Sequence, residues 1–279
     1  MASTCVIQSA ASRHIDWQNR CMQSVAEWAQ NSGFAYQFMG DELFEMVPNA
    51  YRQKALAVSP ERTPVVADLA RLLWIKRLLD ESSAERVLWL DADTLIFAPS
   101  ALVFAPQSSC IFGEERWVQP QANHNRRWQV KKNIHNAFAG FQRGCPVLPF
   151  LIELIQRMMR RVDEAHIAPQ MMGPKLLTSL HSLADFETQA NVGALSPDVL
   201  RDLLGSEYPA IGQRSALGCL LIHQPEPLVA ANLCASLSRE LAVDHAQAEL
   251  AMMRVVEQLL EFPNGLDRSC LLDPDQGLS

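Results

Sequence analysis

The sequence predicts an α/β fold, and three observations carry that expectation. Strand-like and helix-like patterns alternate in the order strand, helix, strand, helix, strand through roughly the first 95 residues, as in a sheet wrapped by crossover helices. The run Val87-Leu88-Trp89-Leu90 is short, continuous and apolar, as in a strand covered on both faces. The chain has 279 residues, 48% hydrophobic and 20% charged, an ordinary globular composition that can bury a sizeable core without disulfides.

The elements are taken in chain order. Residues 4–8 (TCVIQ) read as the opening strand. A helix is expected over residues 17–30, because Trp17, Cys21, Val25 and Trp28 recur at spacings of three and four and form one face. Asn31-Ser32-Gly33 is turn punctuation and ends it. Residues 34–39 (FAYQFM) alternate and read as a second strand. Thr63-Pro64 marks the next helix start, since threonine caps and proline suits the first helical position. That helix runs to about residue 80, with Val66, Leu69 and Leu73 on its buried side and Leu72 and Ile75 on the flank. After the polar stretch DESSAE, the apolar strand 87–90 stops abruptly at Asp91-Ala92-Asp93. The second half is richer in helix, with candidates at 149–162, 174–183, 197–204 and 235–261. Short strands are expected at 109–113, 137–142 and 217–222. There is no internal repeat, low-complexity tract or linker, so one domain is expected.

Composition also excludes classes of function. Lys plus Arg number 24 against 31 Asp plus Glu, a formal net charge of −7, so there is no general attraction for a nucleic-acid backbone. No run of 18 apolar residues occurs, so no transmembrane segment is expected. The start MASTCVIQSA has no basic region followed by a long apolar run and does not read as a secretory signal. The seven cysteines (Cys5, Cys21, Cys110, Cys145, Cys219, Cys234 and Cys270) are odd in number, and no two have C-x-x-C spacing. They read as reduced, core-filling thiols, with no zinc framework. The expected setting is the cytoplasm, either free or peripheral at a membrane.

The segment 87–97, VLWLDADTLIF, is the most informative. In extended chain, positions i and i+2 project to one side, so Asp91 and Asp93 would face one volume about 6.6 Å apart along the backbone. Two such carboxylates repel, and a divalent cation relieves the repulsion. Hard oxygens suit Mg²⁺ or Mn²⁺, which commonly share a site with substrate phosphates. The carboxyl end of a strand is also where open α/β sheets bind ligands. Two alternatives stand beside the metal reading. The aspartates could be turn residues. The pair could also belong to a haloacid-dehalogenase-type phosphatase, although Thr94 and Leu95 are not placed as in that pattern.

Taken with its neighbours, this segment resembles the retaining GT-A glycosyltransferases with a D-x-D sugar-binding region. These include the yeast initiating mannosyltransferases and the α-1,4-galactosyltransferases; the segment also resembles that of glycogenin-type enzymes. The likeness runs in order through TCVIQSA, WAQNSGFAYQFMGDELFEMVP, VVADLARLLWIKRLLD, VLWLDADT, NAFAGFQRGCPVL and MGPKLLTSL. The family's Gly-Gly-x-Tyr before the D-x-D strand is replaced here by SSAER. The closing Ser-Trp that the family carries after its late His is absent from LLIHQPEP and from the residues beyond it. The resemblance implies a nucleotide-diphospho-sugar transferase fold with a mixed central sheet flanked by helices. It divides the domain into a nucleotide-binding half (1–100), an acceptor-side half (101–265) and a tail (266–279). It implies a hexosyltransferase using Mn²⁺ or Mg²⁺, a nucleoside diphosphate sugar donor and a hydroxyl acceptor on a glycan, lipid or protein, with retention of configuration. A non-catalytic binding protein of the same fold is the alternative that the departures suggest.

The resemblance also assigns roles. Asp93 binds the metal, and Asp91 contacts ribose or the metal through water. Asp68 meets a sugar hydroxyl, and Arg71 meets sugar or phosphate. These two lie three apart on one helix face, which by itself would equally suit a surface ion pair. His223, after the apolar run 219–222, would end a strand and join the metal ligands; a structural histidine is the other reading. Asn136 would bond donor or acceptor, or serve a turn. Gln8 and Ser9, ending the first strand, would meet the nucleotide base. The stretch 116–132 (RWVQPQANHNRRWQVKK) reads as an acceptor loop, as a patch for anionic lipid or glycan, or as a flexible solvated loop. No covalent nucleophile or general base is evident.

Overall fold

The computed structural model describes residues 3–11, 15–57, 63–122, 124–205, 215–241 and 244–271. A six-stranded mixed sheet forms the centre. Its strands are β1 (Thr4–Ser9), β2 (Ala35–Met39), β3 (Arg86–Leu90), β5 (Cys110–Gln121), β6 (His124–Gln142) and β7 (Glu187–Gln189), in the order β2-β1-β3-β6-β5-β7. β2, β1 and β3 are parallel, whereas β6 runs antiparallel to both β3 and β5. A second sheet of three short strands joins β4 (Thr94–Ile96), β9 (Ala230–Asn232) and β8 (Val192–Ala194) in that order.

Helices flank the central sheet on both faces, and the strands show why. Val6, Leu88, Leu90, Ile111 and Phe138 belong to one buried cluster; Cys5, Ile7, Val87, Trp89, Phe112 and Phe141 belong to the other. Alternate residues point to opposite faces and both sets are apolar, so the strands read as continuous hydrophobic runs. The first cluster takes α1 (Asp16–Asn31), α6 (Pro197–Leu203), α7 (Ala216–His223), α8 (His245–Leu260) and the small sheet. The second takes α2 (Asn49–Leu56), α3 (Thr63–Glu81), α4 (Val147–Arg161) and α5 (Pro174–Ala184). No helix among the described residues is long and apolar enough to cross a membrane.

Local chemistry accounts for the individual elements. Trp17, Cys21, Val25 and Trp28 are all buried on α1. The helix ends where the Ser32 N–H reaches the Trp28 carbonyl at 2.9 Å and Gly33 takes φ of +71°. α3 begins at Thr63 as expected, but its buried surface spreads around most of the helix and includes Asp68 and Arg71. The helix expected over 149–162 begins two residues earlier, and those expected from 174 and 197 begin at Pro174 and Pro197.

Three expectations are corrected. Residues 217–222 are helical, not a strand: Ser215 accepts the Gly218 N–H at 2.9 Å and starts α7. A short apolar run buried on all sides has no periodicity to separate the two forms, and here the serine cap decides. Residues 116–132 are not a flexible loop. They form the outer part of the β5–β6 hairpin, with Arg116 opposite Lys132, Val118 opposite Val130 and Pro120 opposite Trp128. Residue 123 and the side chains of 124–126 in that stretch lie outside the described residues. The helix expected over 235–261 is split into a 3₁₀ turn (Ala235–Glu240) and α8, which Asp244 caps by accepting the Gln247 N–H at 2.8 Å. Of the expected tail, residues 272–279 lie outside the described residues.

Candidate functional site

The parallel strands β2, β1 and β3 finish at one edge of the sheet. From β1 the chain goes to β2 on one side and then returns to β3 on the other, so the order reverses at β1. Such a switch point leaves a crevice at the carboxyl ends of the strands. Gln8, fully buried at the end of β1, spans it: its Nε2 donates to the Asp91 carbonyl at 3.2 Å, and its Oε1 accepts from the Tyr36 hydroxyl at 3.0 Å. Ser9 is at the same edge but turns to the β2 side, donating to the Gly40 carbonyl at 3.3 Å.

Asp91-Ala92-Asp93-Thr94 is a turn, closed by the Thr94 N–H on the Asp91 carbonyl at 3.0 Å. This corrects the extended geometry expected for the acidic pair. The two carboxylates are held from different sides. Asp91 sits beyond β3, its N–H on the Ala137 carbonyl at 2.8 Å. Its Oδ1 accepts from Trp89 Nε1 at 2.6 Å and pairs with Arg71 Nη1 at 3.0 Å, and its side chain is 26% exposed. Asp93 is clasped by the end of the small sheet. Its Oδ1 accepts from Asn232 Nδ2 at 2.6 Å, its Oδ2 from the Ala235 N–H at 2.7 Å, and its carbonyl from the Leu233 N–H at 2.9 Å. Burial pushes the Asp93 carboxyl up to about 6, the Asp91 charge adds to that, and the Ala235 and Asn232 donors oppose it.

The second half of the site is built on α3. Arg71, 6% exposed, donates from Nη1 to the Asn136 carbonyl at 2.7 Å, pairs through Nη2 with Asp68 Oδ1 at 3.5 Å, and lies 5.1 Å from the Trp89 ring centroid. Asn136 Nδ2 donates to Asp68 Oδ1 at 2.7 Å. Asp68 Oδ2 is buried and has no hydrogen-bond partner among the described residues. Burial raises the Asp68 carboxyl to about 6, with Arg71 and Asn136 pulling it down and Asp91 pushing it up. Gly173 closes this side. A Cβ there would lie 2.8 Å from each Asp68 oxygen and 2.9 Å from Asn136 Nδ2, so only glycine brings the start of α5 this close. Thr178 anchors α5 by accepting the Ile134 N–H at 2.9 Å, two residues from Asn136.

The tertiary structure therefore gathers Gln8, Asp68, Arg71, Asp91 and Asn136 into one bonded network, with Asp93 across the turn. His223 is not among them. It is the exposed last residue of α7, its Nδ1 is 2.8 Å from the Cys219 carbonyl, and its own carbonyl accepts from Arg116 Nε at 3.2 Å. Among the described residues no group of three or more His, Cys, Asp or Glu is placed to hold a metal ion. The set of Asp91, Asp93 and His223 is thus not assembled, because the segment leading to His223 is a helix and not a strand aimed at the sheet edge. The donors that remain are hard carboxylates. Asp68, Asp91 and Asp93 against Arg71 sum to a formal −2, and an orphaned buried carboxylate oxygen adds to the deficit. A Mg²⁺ or Mn²⁺ ion fits that balance, since these ions take one or two carboxylates and complete their octahedron with water and phosphate.

Two of the solved structures similar to this chain are glycosyltransferases. One is a glycosyltransferase involved in the glycosylation of the major capsid of PBCV-1, with 9% identity, a TM-score of 0.41, and coverage of 90% of this chain and 98% of that one. The other is a mutant of Drosophila β1,4-galactosyltransferase 7 in complex with manganese, UDP-Gal and xylobiose. It has 10% identity and a TM-score of 0.25, covering 50% of this chain and 49% of that one. No protein-family model matches the chain, and no curated protein matches it. What the site does chemically is therefore read from its own geometry.

Sequence reasoning misses three members of the site. Trp89 reads only as part of a buried strand, although its indole N–H at a strand end next to an aspartate is a usable signal. Gly173 shows only within the segment MGPKLLTSL, with no role attached to it, and Asn232 leaves no signal: each matters through a residue more than a hundred positions away.

Proposed function

We propose that this chain is a metal-dependent glycosyltransferase that moves a hexose from a nucleoside diphosphate sugar to a hydroxyl acceptor. The observation that carries the reading is the buried Asp68–Arg71–Asp91–Asn136 network set beside Asp93 at the switch point of the sheet. Asp93 and Asp91 hold Mn²⁺ or Mg²⁺, which when bound supplies Lewis-acid neutralisation of the diphosphate leaving group. Arg71, locked by a carbonyl, two carboxylates and an indole face, presents a fixed positive charge toward the sugar or diphosphate. Asp68 Oδ2 accepts from a sugar hydroxyl, which satisfies an oxygen that has no partner among the described residues. The Asn136 side chain is aimed by that same carboxylate toward donor or acceptor. Gln8 and Ser9 border the crevice where the base and ribose lie. Retention of configuration is carried by the family resemblance.

Donor turnover is measured with UDP- and GDP-sugars, with and without EDTA, for the native chain and for Asp93→Ala. Metal-dependent hydrolysis or transfer that disappears in the variant supports the proposal; turnover unchanged by either manipulation overturns it. Calorimetry with the same panel and Mn²⁺ separates a non-catalytic binder, which takes up donor without turnover. Rapid phosphate release from simple phosphomonoesters marks a phosphatase instead.

A further inference from the structure

A second cluster of reactive side chains lies beside the start of β3, at the opposite end of that strand from the acidic turn. Cys110 opens β5 and pairs in register with Phe141. After Gln142 the chain turns back, with Gly144 at φ of +77° and the Cys145 N–H on the Gln142 carbonyl at 3.0 Å. The Gln142 N–H is itself held on the Ser109 carbonyl at 2.8 Å, so the segments carrying Cys110 and Cys145 are zipped together. The two side chains belong to the same buried cluster, their thiols are near enough to perturb each other's titration, and each residue is only 5% exposed.

We propose that Cys145 and Cys110 form an oxidation-sensitive dithiol, with Cys145 attacking a peroxide and Cys110 resolving the product to a disulfide. Cys145 has the surroundings of a thiolate. Ser109 Oγ donates to its sulfur at 3.3 Å, and the backbone N–H groups of Val147 and Leu148 face it at the open end of the 15-residue α4. The neighbouring Cys110 thiol and these donors outweigh burial and bring the Cys145 thiol down to about 6, while Cys145, burial and Glu187 drive Cys110 upward. Of the two, Cys145 is the one these donors favour as thiolate, and Cys110 is the partner that keeps its proton. Cys5, Cys21 and Cys234 differ, since burial pushes each of them up.

The chemistry balances in two steps. The Cys145 sulfur forms a bond to one peroxide oxygen as the O–O bond breaks, giving a sulfenic acid and hydroxide, which takes a proton to become water. Cys110 then gives up its proton, and its sulfur attacks the Cys145 sulfur. The sulfenic oxygen leaves as a second water and the S–S bond forms. Overall, two thiols and one hydrogen peroxide give one disulfide and two waters, and an external dithiol reverses the change. The bond would join the start of β5 to the head of α4, the helix packed on α3.

The test treats the native chain at neutral pH with roughly equimolar hydrogen peroxide, blocks remaining thiols with N-ethylmaleimide and maps peptides without reduction. The expected result is one dominant Cys110–Cys145 cross-link, two hydrogens lighter than its separate peptides and lost on adding dithiothreitol. Recovery of both peptides as their maleimide adducts, or disulfides scattered among the other cysteines, overturns the proposal. In Cys110→Ser the sulfenic acid should persist and be trapped on Cys145 by dimedone. In Cys145→Ser, Cys110 should stay unmodified; labelling of Cys110 there would reverse the assigned roles and overturn them. If Cys145→Ser does not fold, the map of the native chain decides alone.

Discussion

At the residue scale, the site is a set of charges held apart by neutral donors. Asp93 has both carboxylate oxygens occupied by Asn232 and the Ala235 N–H, so its direction is set before any ligand arrives. Removing the Asn232 amide should leave the chain folded yet loosen that aim. Asn232→Ala is expected to weaken Mn²⁺ binding by roughly 10- to 100-fold, the usual cost of losing a ligand's hydrogen-bond partner; titration of Mn²⁺ by paramagnetic resonance reads it. Asp93→Ala should abolish the metal response and cut donor turnover by on the order of 100-fold or more, since metal stabilisation of a leaving group is worth several kcal/mol. Gly173→Ala sets a methyl 2.8 Å from both Asp68 oxygens. It should cost about 1–3 kcal/mol in urea unfolding, and donor turnover should fall as Asp68 and Asn136 move. Unchanged turnover in a folded Gly173→Ala chain would show that Asp68 needs no fixed position.

At the element scale, the inner strands β1, β3, β5 and β6 of the central sheet each serve two cores. Phe138 is fully buried in β6, opposite Leu90 and 6.1 Å from the Phe104 ring centroid, and follows Ala137, whose carbonyl holds the Asp91 N–H. Phe138→Ala should cost about 3–5 kcal/mol, the range for deleting a buried aromatic, with the loss seen in the denaturant midpoint. The elements most legible in the sequence have strong local signals: α1 by its spacing of apolar residues, α3 by Thr63-Pro64, β3 by an uninterrupted apolar run. Residues 217–222 and 116–132 mislead for opposite reasons. The first are apolar throughout and carry no period. The second are rich in charge because the hairpin extends into solvent, where Lys131, Lys132 and Arg127 are exposed while Val118 is buried. Charge in a long hairpin arm has the same appearance as charge in a loop.

At the scale of the whole molecule, stability is linked to pH through two carboxyl groups, one of them Asp93, the proposed metal ligand. Asp68 and Asp93 titrate at about 6 in the folded chain, against about 3.9 for an unfolded aspartate. Between these values the folded state binds more protons than the unfolded one, so the contribution of these two groups is most favourable below about pH 4 and falls as pH rises through 6. Each group contributes about 2–3 kcal/mol at most. Metal-free protein should therefore show a falling melting temperature from pH 4 to 7 where other groups do not offset it. Asp68→Asn should flatten part of that slope. Added Mn²⁺ should raise the melting temperature above pH 6 and have little effect at pH 4, where a proton occupies the Asp93 carboxylate. A Mn²⁺ shift that is the same at both pH values would contradict the assignment.

The sequence by itself determined the α/β class, the first three strands and their helices, and the identity of the acidic turn, because each rests on patterns within a few neighbouring residues. It also determined that Asp68 and Arg71 share a helix face, a matter of helical spacing. Only the tertiary structure decided that both are buried, that Arg71 bridges to Asp91, that Asn232 and Gly173 belong to the site, and that His223 does not. Those outcomes depend on strand order and on contacts across 20 to 139 positions, set by which faces pack together, and no local pattern records those contacts.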